Sequence, residues 1–333
     1  MSEKTRDAVR KGYGSVAQAG LSSTHSGIKS IANAFGYSDE ELASIPAEAN
    51  MGLSCGNPVA MASISEGETV LDLGAGGGLD VFLASKKVGP TGKVIGIDMT
   101  GDMVSLARKN AEKGAYTNVH FYLAEIEAMP IPTGSVDCVI SNCVLNLCPD
   151  KDAALKEIYR VLKPGGRLAI SDIALKQQLP EAIAQEVAAW TGCIAGALTI
   201  DDNRSKLSAA GFGGVDIQDA GSDLNAYKDG GHAACCGPTS DADMSGSCDT
   251  EASATEEACC APEPATQAEA CCAPAPTAEE TECCTPEAES QSCCDSEEAA
   301  ERPLHETMAE LLEAFDVNAY AASVKIFAIK PGA

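Results

Sequence analysis

The chain has 333 residues, with 49 acidic against 23 basic side chains and a formal net charge of −26 at neutral pH. That length suits one or two domains of about 150 residues each, and the charge excludes a nucleic-acid partner, which needs a basic stripe for its phosphates. The opening MSEKTRDAVRKGYG lacks the apolar core of a signal peptide and no run of about 20 apolar residues follows, so the expected setting is the cytoplasm, with no membrane association.

Residues 1–58 read as an N-terminal helical cap and substrate segment. From Glu68 the chain alternates short β-branched runs with helical patterns. TVLDLG (69–74), KVIGID (93–98), VHFYLA (119–124), VDCVISN (136–142) and RLAISD (167–172) have the character of buried strands. Between them LDVFLASKKV, MVSLARKNAEK and AALKEIYRVLKPGG are predicted helices, the last closed by Pro and Gly. Regular βαβ alternation implies an α/β, doubly wound, Rossmann-like sheet over a core of residues 59–228. GVDIQDA (214–220) is a sixth candidate strand, and ASVKIFAIKP (322–331) a seventh. Just before the latter, Leu304, Met308, Leu311, Leu312 and Phe315 share one helical face. Residues 303–333 are therefore expected to return to the core and complete it.

Residues 229–302 then form an insertion within one domain. Between Asp229 and Glu301 there are 18 acidic residues and no Lys or Arg, among Ala, Pro and Thr. Such a segment buries too little apolar surface to offset its ordering entropy and is expected to be disordered. It holds five vicinal cysteine pairs: Cys235 and Cys236, Cys259 and Cys260, Cys271 and Cys272, Cys283 and Cys284, and Cys293 and Cys294. Cys236, Cys248, Cys260, Cys272 and Cys284 recur every 12 residues, which marks duplicated sequence without the apolar ridge that a stacked repeat requires. In a reducing compartment, 16 cysteines point to metal binding, metalloid binding or redox chemistry more than to a disulfide framework. Adjacent thiols chelate a thiophilic ion without needing a fold, so each pair is a candidate capture site.

VLDLGAGGGLDV (70–81) sets a Gly-rich turn between the first strand and its helix, where backbone approach and a helix N-terminus suit a cofactor. The dinucleotide fingerprint G-x-G-x-x-G fails at its last position, which is Leu79. Instead Asp72 precedes the turn, and Asp98 ends the next strand, where an acid accepts ribose hydroxyls. A cofactor without a pyrophosphate and carrying a positive charge fits this pattern, and S-adenosylmethionine is such a cofactor.

Five cysteines lie outside the insertion. Cys138, in mid-strand, reads as a small buried hydrophobe. Cys143 stands just past the fourth strand, at the sheet end where ligands bind. SCGNP (54–58), DLGAGGGLDVF (72–82), GIDMT (96–100), SNCVLNLCPDK (141–151) and WTGCIAGAL (190–198) together resemble the arsenite methyltransferases, from about Tyr13 to Asp219 and again at the last strand. The resemblance implies a class I methyltransferase fold with a final antiparallel strand.

It also implies roles. The arsenic-binding thiols fall on Cys143 and Cys193, and a redox-active cysteine on Cys55. Asp72, Gly74, Ala75 and Gly76 match the methionine-side loop, Asp98 and Met99 the ribose and adenine contacts, and Ile126 with Glu127 the adenine-side turn. Better-studied members carry one more cysteine upstream of Cys55, which this chain lacks, so Cys55 would have to pair with Cys143 or Cys193. Thioredoxin or glutathione is the implied reductant. Cys148 is open between a third thiolate and a solvent-facing position at a helix start. Two other readings stand beside arsenite methylation: methylation of a quinone or sterol precursor, and a thiol-rich metalloid-binding protein.

Overall fold

In the computed structural model, which describes residues 3–185, 193–228 and 304–332, the β-branched runs form seven strands in one sheet. These are β1 (Thr69–Leu73), β2 (Lys93–Asp98), β3 (Val119–Leu123), β4 (Val136–Asn142), β5 (Leu162–Leu175), β6 (Gly213–Asp219) and β7 (Ala321–Ile329), in the order β3-β2-β1-β4-β5-β7-β6. The first five pair in parallel, and β7 runs antiparallel between β5 and β6. The last segment thus joins the sheet as an inner strand, as its β-branched run suggested.

The helices are α1 (Glu3–Gln18), α2 (Ser26–Ala34), α3 (Asp39–Ala43), α4 (Pro58–Met61), α5 (Leu79–Val88), α6 (Gly101–Lys113), α7 (Lys151–Val161), α8 (Glu181–Gln185), α9 (Ile200–Ala209) and α10 (Leu304–Ala314). One boundary differs from expectation: KPGG does not close α7 but opens β5. The Gly165 N–H donates to the Lys330 carbonyl at 2.9 Å and Lys330 donates to Gly166 at 2.9 Å. Strand β7 supplies the backbone partners that a lengthened helix would have lost.

Period-two alternation divides the core between the two faces of the sheet. Leu71, Leu73, Ile97 and Val139 pack with Leu155 and Ile158 of α7, whereas Val70, Val94, Cys138 and Ile140 pack with Phe82 of α5 and Ala107 of α6. Cys138 is fully buried there, as a core residue. A third cluster caps the carboxyl ends of the strands and gathers Met51, Cys55, Cys143, Cys193, Tyr227 and Leu304. That end of the sheet carries the site.

The insertion and its cysteine pairs, from Cys235 and Cys236 to Cys293 and Cys294, lie outside the described residues. Among the described residues no helix is long and apolar enough to cross a membrane.

Candidate active site

The turn after β1 requires glycine. Gly74 and Gly76 adopt φ of 65° and 51°, and a Cβ on Gly74 would run into the Val144 side chain. Backbone and side chain then tie the turn to β2: Ala75 N–H donates to the Ile97 carbonyl at 2.9 Å, and Gly76 N–H to Asp98 Oδ2 at 3.0 Å. The other Asp98 oxygen accepts from Thr100 N–H at 2.8 Å. The Thr100 side chain and the Met99 backbone also bond this carboxylate, which is thereby fixed at the end of β2.

The turn opens into a cleft with about 1020 Å³ of space, open solvent at its mouth included. Asp72, Gly74 to Gly76, Asp98, Met99, Ile126 and Glu127 all line it. Its roof was not read from the sequence. Arg6, Val9 and Tyr13, spaced along one face of α1, complete the wall. Arg6 bonds Glu127 at 3.2 Å, and Arg10 bonds Glu125 at 2.6 Å, so this helix is tied to the loop after β3.

The charge balance here favours a cation. Burial, with Asp80 and Asp98 nearby, holds the Asp72 carboxyl well above the usual range, and Asp72 has no hydrogen-bond donor among the described residues. Burial also raises Asp98, against the N–H groups of Thr100 and Gly76. The Arg6 charge is engaged by Glu127 and Glu125. A ligand carrying positive charge at the turn relieves the repulsion among these acids. The residues therefore fit S-adenosylmethionine, a sulfonium with an amino group.

At the other end of the cleft a buried network fixes the cysteine loop. Tyr37 OH donates to Asp80 at 2.7 Å, and Asn142 Nδ2 donates to Asp80 at 3.2 Å and to the Gly56 carbonyl at 2.7 Å. Asn142 Oδ1 accepts from Cys55 N–H at 2.9 Å. Burial lifts Asp80 to about 6, although the bonds from Tyr37 and Asn142 oppose the rise. Ser323 on β7 donates to the Cys55 carbonyl at 2.6 Å, and Tyr227 to that of Ser54 at 2.8 Å.

Three remote segments converge on this loop. Cys55 and Cys143 form a disulfide with Cα atoms 5.9 Å apart. Cys193 Sγ donates to the Cys143 carbonyl at 2.8 Å. Cys143 and Cys193 both have positive φ, 56° and 65°, a conformation costing a non-Gly residue on the order of 1–2 kcal/mol. The cost is borne at the two positions expected to hold arsenic. Cys55, Cys143 and Cys193 are 1%, 4% and 3% exposed. Burial, then Asp172, pushes the Cys193 thiol well up, so it rests as the neutral thiol. Among the described residues no group of three or more His, Cys, Asp or Glu is arranged to hold a metal ion.

Of the two positions left open for Cys148, the solvent-facing one is excluded: it is 4% exposed and lines the cleft. A short 3₁₀ turn, Leu145–Leu147, carries it inward before α7 starts, which the sequence pattern did not reveal. Burial and the neighbouring Glu127 push its thiol up. Asp172, at the end of the RLAISD run, was also missed as a polar core residue. It accepts from Asn146 Nδ2 at 2.8 Å, and its Oδ2 is buried without a partner among the described residues.

Residues 64–218 match a family model described as a methyltransferase domain. An arsenite methyltransferase from Halobacterium salinarum is 44% identical over 230 residues, which are 65% of this chain and 59% of that protein. The Homo sapiens arsenite methyltransferase is 43% identical over 138 residues, 39% of this chain and 37% of that one. The chain thus spans well under two thirds of the length of these relatives. Among solved structures, a Haemonchus contortus phosphoethanolamine N-methyltransferase superposes with a TM-score of 0.56 at 14% identity, covering 92% of this chain and 57% of that chain, a likeness of fold.

Proposed function

We propose that this chain, which matches a methyltransferase domain over residues 64–218 and arsenite methyltransferases over part of their length, is itself an arsenite methyltransferase that methylates trivalent arsenic held by Cys143 and Cys193. The observation that supports the reading is the Cys193 thiol bonded to the backbone of Cys143, both residues at strained backbone positions, with Cys143 lining the cleft of the acidic glycine turn.

As(III) is soft, and thiols displace its hydroxyls as water, each thiol proton leaving with one hydroxide. Neutral, buried thiols therefore serve, and no general base is needed. When bound, S-adenosylmethionine supplies the methyl group, held by Asp72, the Gly74 to Gly76 turn, Asp98, Met99, Ile126 and Glu127. The lone pair that remains on dithiolate-bound arsenic is the nucleophile. The task of the protein is alignment of that pair, and holding reactants about 3–3.5 Å apart accounts for several kcal/mol of the barrier.

Methylation oxidises arsenic to As(V). Cys55 then attacks Cys143: the two thiols give two electrons to arsenic and become a disulfide, and arsenic returns to the trivalent state. A reductant of the thioredoxin or glutathione type resets the pair in a cytoplasmic, reducing setting. The cysteine pairs of residues 229–302 act as a tethered store that raises local As(III), as linkage does for any joined module. Deleting that segment then raises the arsenite concentration at half-maximal rate; an unchanged dependence ends the storage role.

The test is turnover of the reduced protein with S-adenosylmethionine and arsenite, with arsenic speciated by chromatography and mass detection. Methylated arsenicals are expected from the parent and lost in Cys143→Ser and Cys193→Ser. A parent that binds cofactor yet makes none refutes the substrate assignment.

A further inference from the structure

The thiol cycle needs electrons from outside, and the fold restricts how they enter. Cys55 is 1% and Cys143 4% exposed, so neither sulfur is offered to a protein surface. Their environments nevertheless differ. Cys143 lines the large cleft, together with Asp72, Gly74 and Met99, whereas Cys55 does not. The backbone of Cys55 is fixed by Asn142 at its N–H and by Ser323 at its carbonyl, and Tyr227 holds the carbonyl of the preceding Ser54. Thiol–disulfide exchange proceeds at whichever sulfur a thiolate can reach. The same cleft is the candidate cofactor site, lined by Asp72, Gly76, Asp98 and Glu127 as well as by Cys143. A small thiol can follow the path that a departing cofactor vacates, whereas a protein reductant needs a disulfide at the surface, which the burial of Cys55 and Cys143 denies it.

We propose that the Cys55–Cys143 disulfide is reduced through the cofactor cleft, by a low-molecular-weight thiol that attacks Cys143 Sγ, so that reduction waits for the spent cofactor to leave. The inference rests on the methyl-transfer reading for its account of what fills the cleft. In the first step the attacking thiolate bonds to Cys143 Sγ, the disulfide breaks, and Cys55 leaves as thiolate and takes a proton. A second small thiol then attacks the mixed disulfide and frees Cys143. The net change is two small thiols oxidised to their disulfide and two protein thiols formed. Product release and re-reduction become ordered steps, and arsenic rebinds only after both.

The experiment uses the full chain after air oxidation. Alkylation is quenched at intervals, and the Cys55 and Cys143 peptides are followed by mass spectrometry, which separates them from the cysteine-rich segment. Reduction by glutathione and by thioredoxin, at equal thiol concentration, is timed with and without S-adenosylhomocysteine, whose binding is measured first by calorimetry. Saturating S-adenosylhomocysteine is expected to slow glutathione at least about tenfold, and glutathione without it to outpace thioredoxin by a similar factor. A rate indifferent to S-adenosylhomocysteine, thioredoxin as fast as glutathione, or Cys55 crosslinked elsewhere overturns the proposal. Absence of S-adenosylhomocysteine binding would instead sink the methyl-transfer reading, and the ratio of the two reductants would still decide the route.

Discussion

The two ends of the cleft are built on different principles. The cofactor end is local: one strand, one glycine turn and the acid ending the next strand, joined largely by backbone bonds from Ala75, Gly76 and Thr100. The thiol end is assembled from residues 55, 143 and 193 and held by side chains, with Asn142 at its centre. A site of the first kind is set by a contiguous motif. One of the second kind depends on tertiary convergence, and its backbone strain shows that the surrounding fold, not local preference, holds it.

The contrast can be broken at its thiol end first. Cys143→Ser and Cys193→Ser are each expected to cut arsenite turnover by about 10³ or more while leaving S-adenosylhomocysteine affinity within about twofold. Loss of cofactor affinity as well would mean that the two ends are one unit. Next, Asn142→Ala removes the bonds to Cys55, Gly56 and Asp80 and leaves buried groups unpaired, so urea unfolding should show about 2–3 kcal/mol of lost stability. A loss within experimental error would show that packing alone fixes the loop.

At the cofactor end, Asp72→Asn should weaken S-adenosylmethionine about tenfold, and S-adenosylhomocysteine less, because only the former carries the sulfonium charge. Equal losses measured by calorimetry would remove charge as the reason. The smallest effect concerns pH. Burial raises Asp172 from 3.8 to about 7. Between those values the folded state holds a proton that the unfolded chain has lost, so stability is highest below the lower value and falls as pH rises to the upper one. Asp172→Asn keeps an acceptor for Asn146 and should add about 1 kcal/mol at pH 7.5 and less at pH 5, read from urea midpoints. A variant that is no more stable at either pH would show that the ionised carboxylate is well accommodated.

Much of the fold could be read from the sequence because strand burial and helix periodicity are local: β2 and β4 coincide with their β-branched runs, and α5 with LDVFLASKKV. The start of β5 was not legible, since KPGG becomes strand only in the presence of Lys330. At the site, the glycine turn and its acids were legible by spacing alone. Cys143 was a candidate by its place past the fourth strand, but its grouping with Cys55 and Cys193 drew on a family resemblance, because nothing local joins residues separated by up to 138 positions. Residues 1–58 were legible as a helical cap, but Arg6, Val9 and Tyr13 were not singled out within it, although they carry the helical spacing that marks a buried face. Cys148 stayed open because a single 3₁₀ turn decides whether it points in or out.

The place of β7 has a consequence for biosynthesis. It fills the gap between β5 and β6, yet more than a hundred residues are translated between the start of β6 at Gly213 and the start of β7 at Ala321. Until it arrives, β5 has one bare edge and β6 has no partner in the sheet, and open edges of this kind invite pairing with other chains. Ser323, which anchors the Cys55 carbonyl, arrives with the same strand. The nascent protein therefore passes through a prolonged stage in which its sheet is most vulnerable and its thiol site is unfinished, and both conditions end with the addition of one strand.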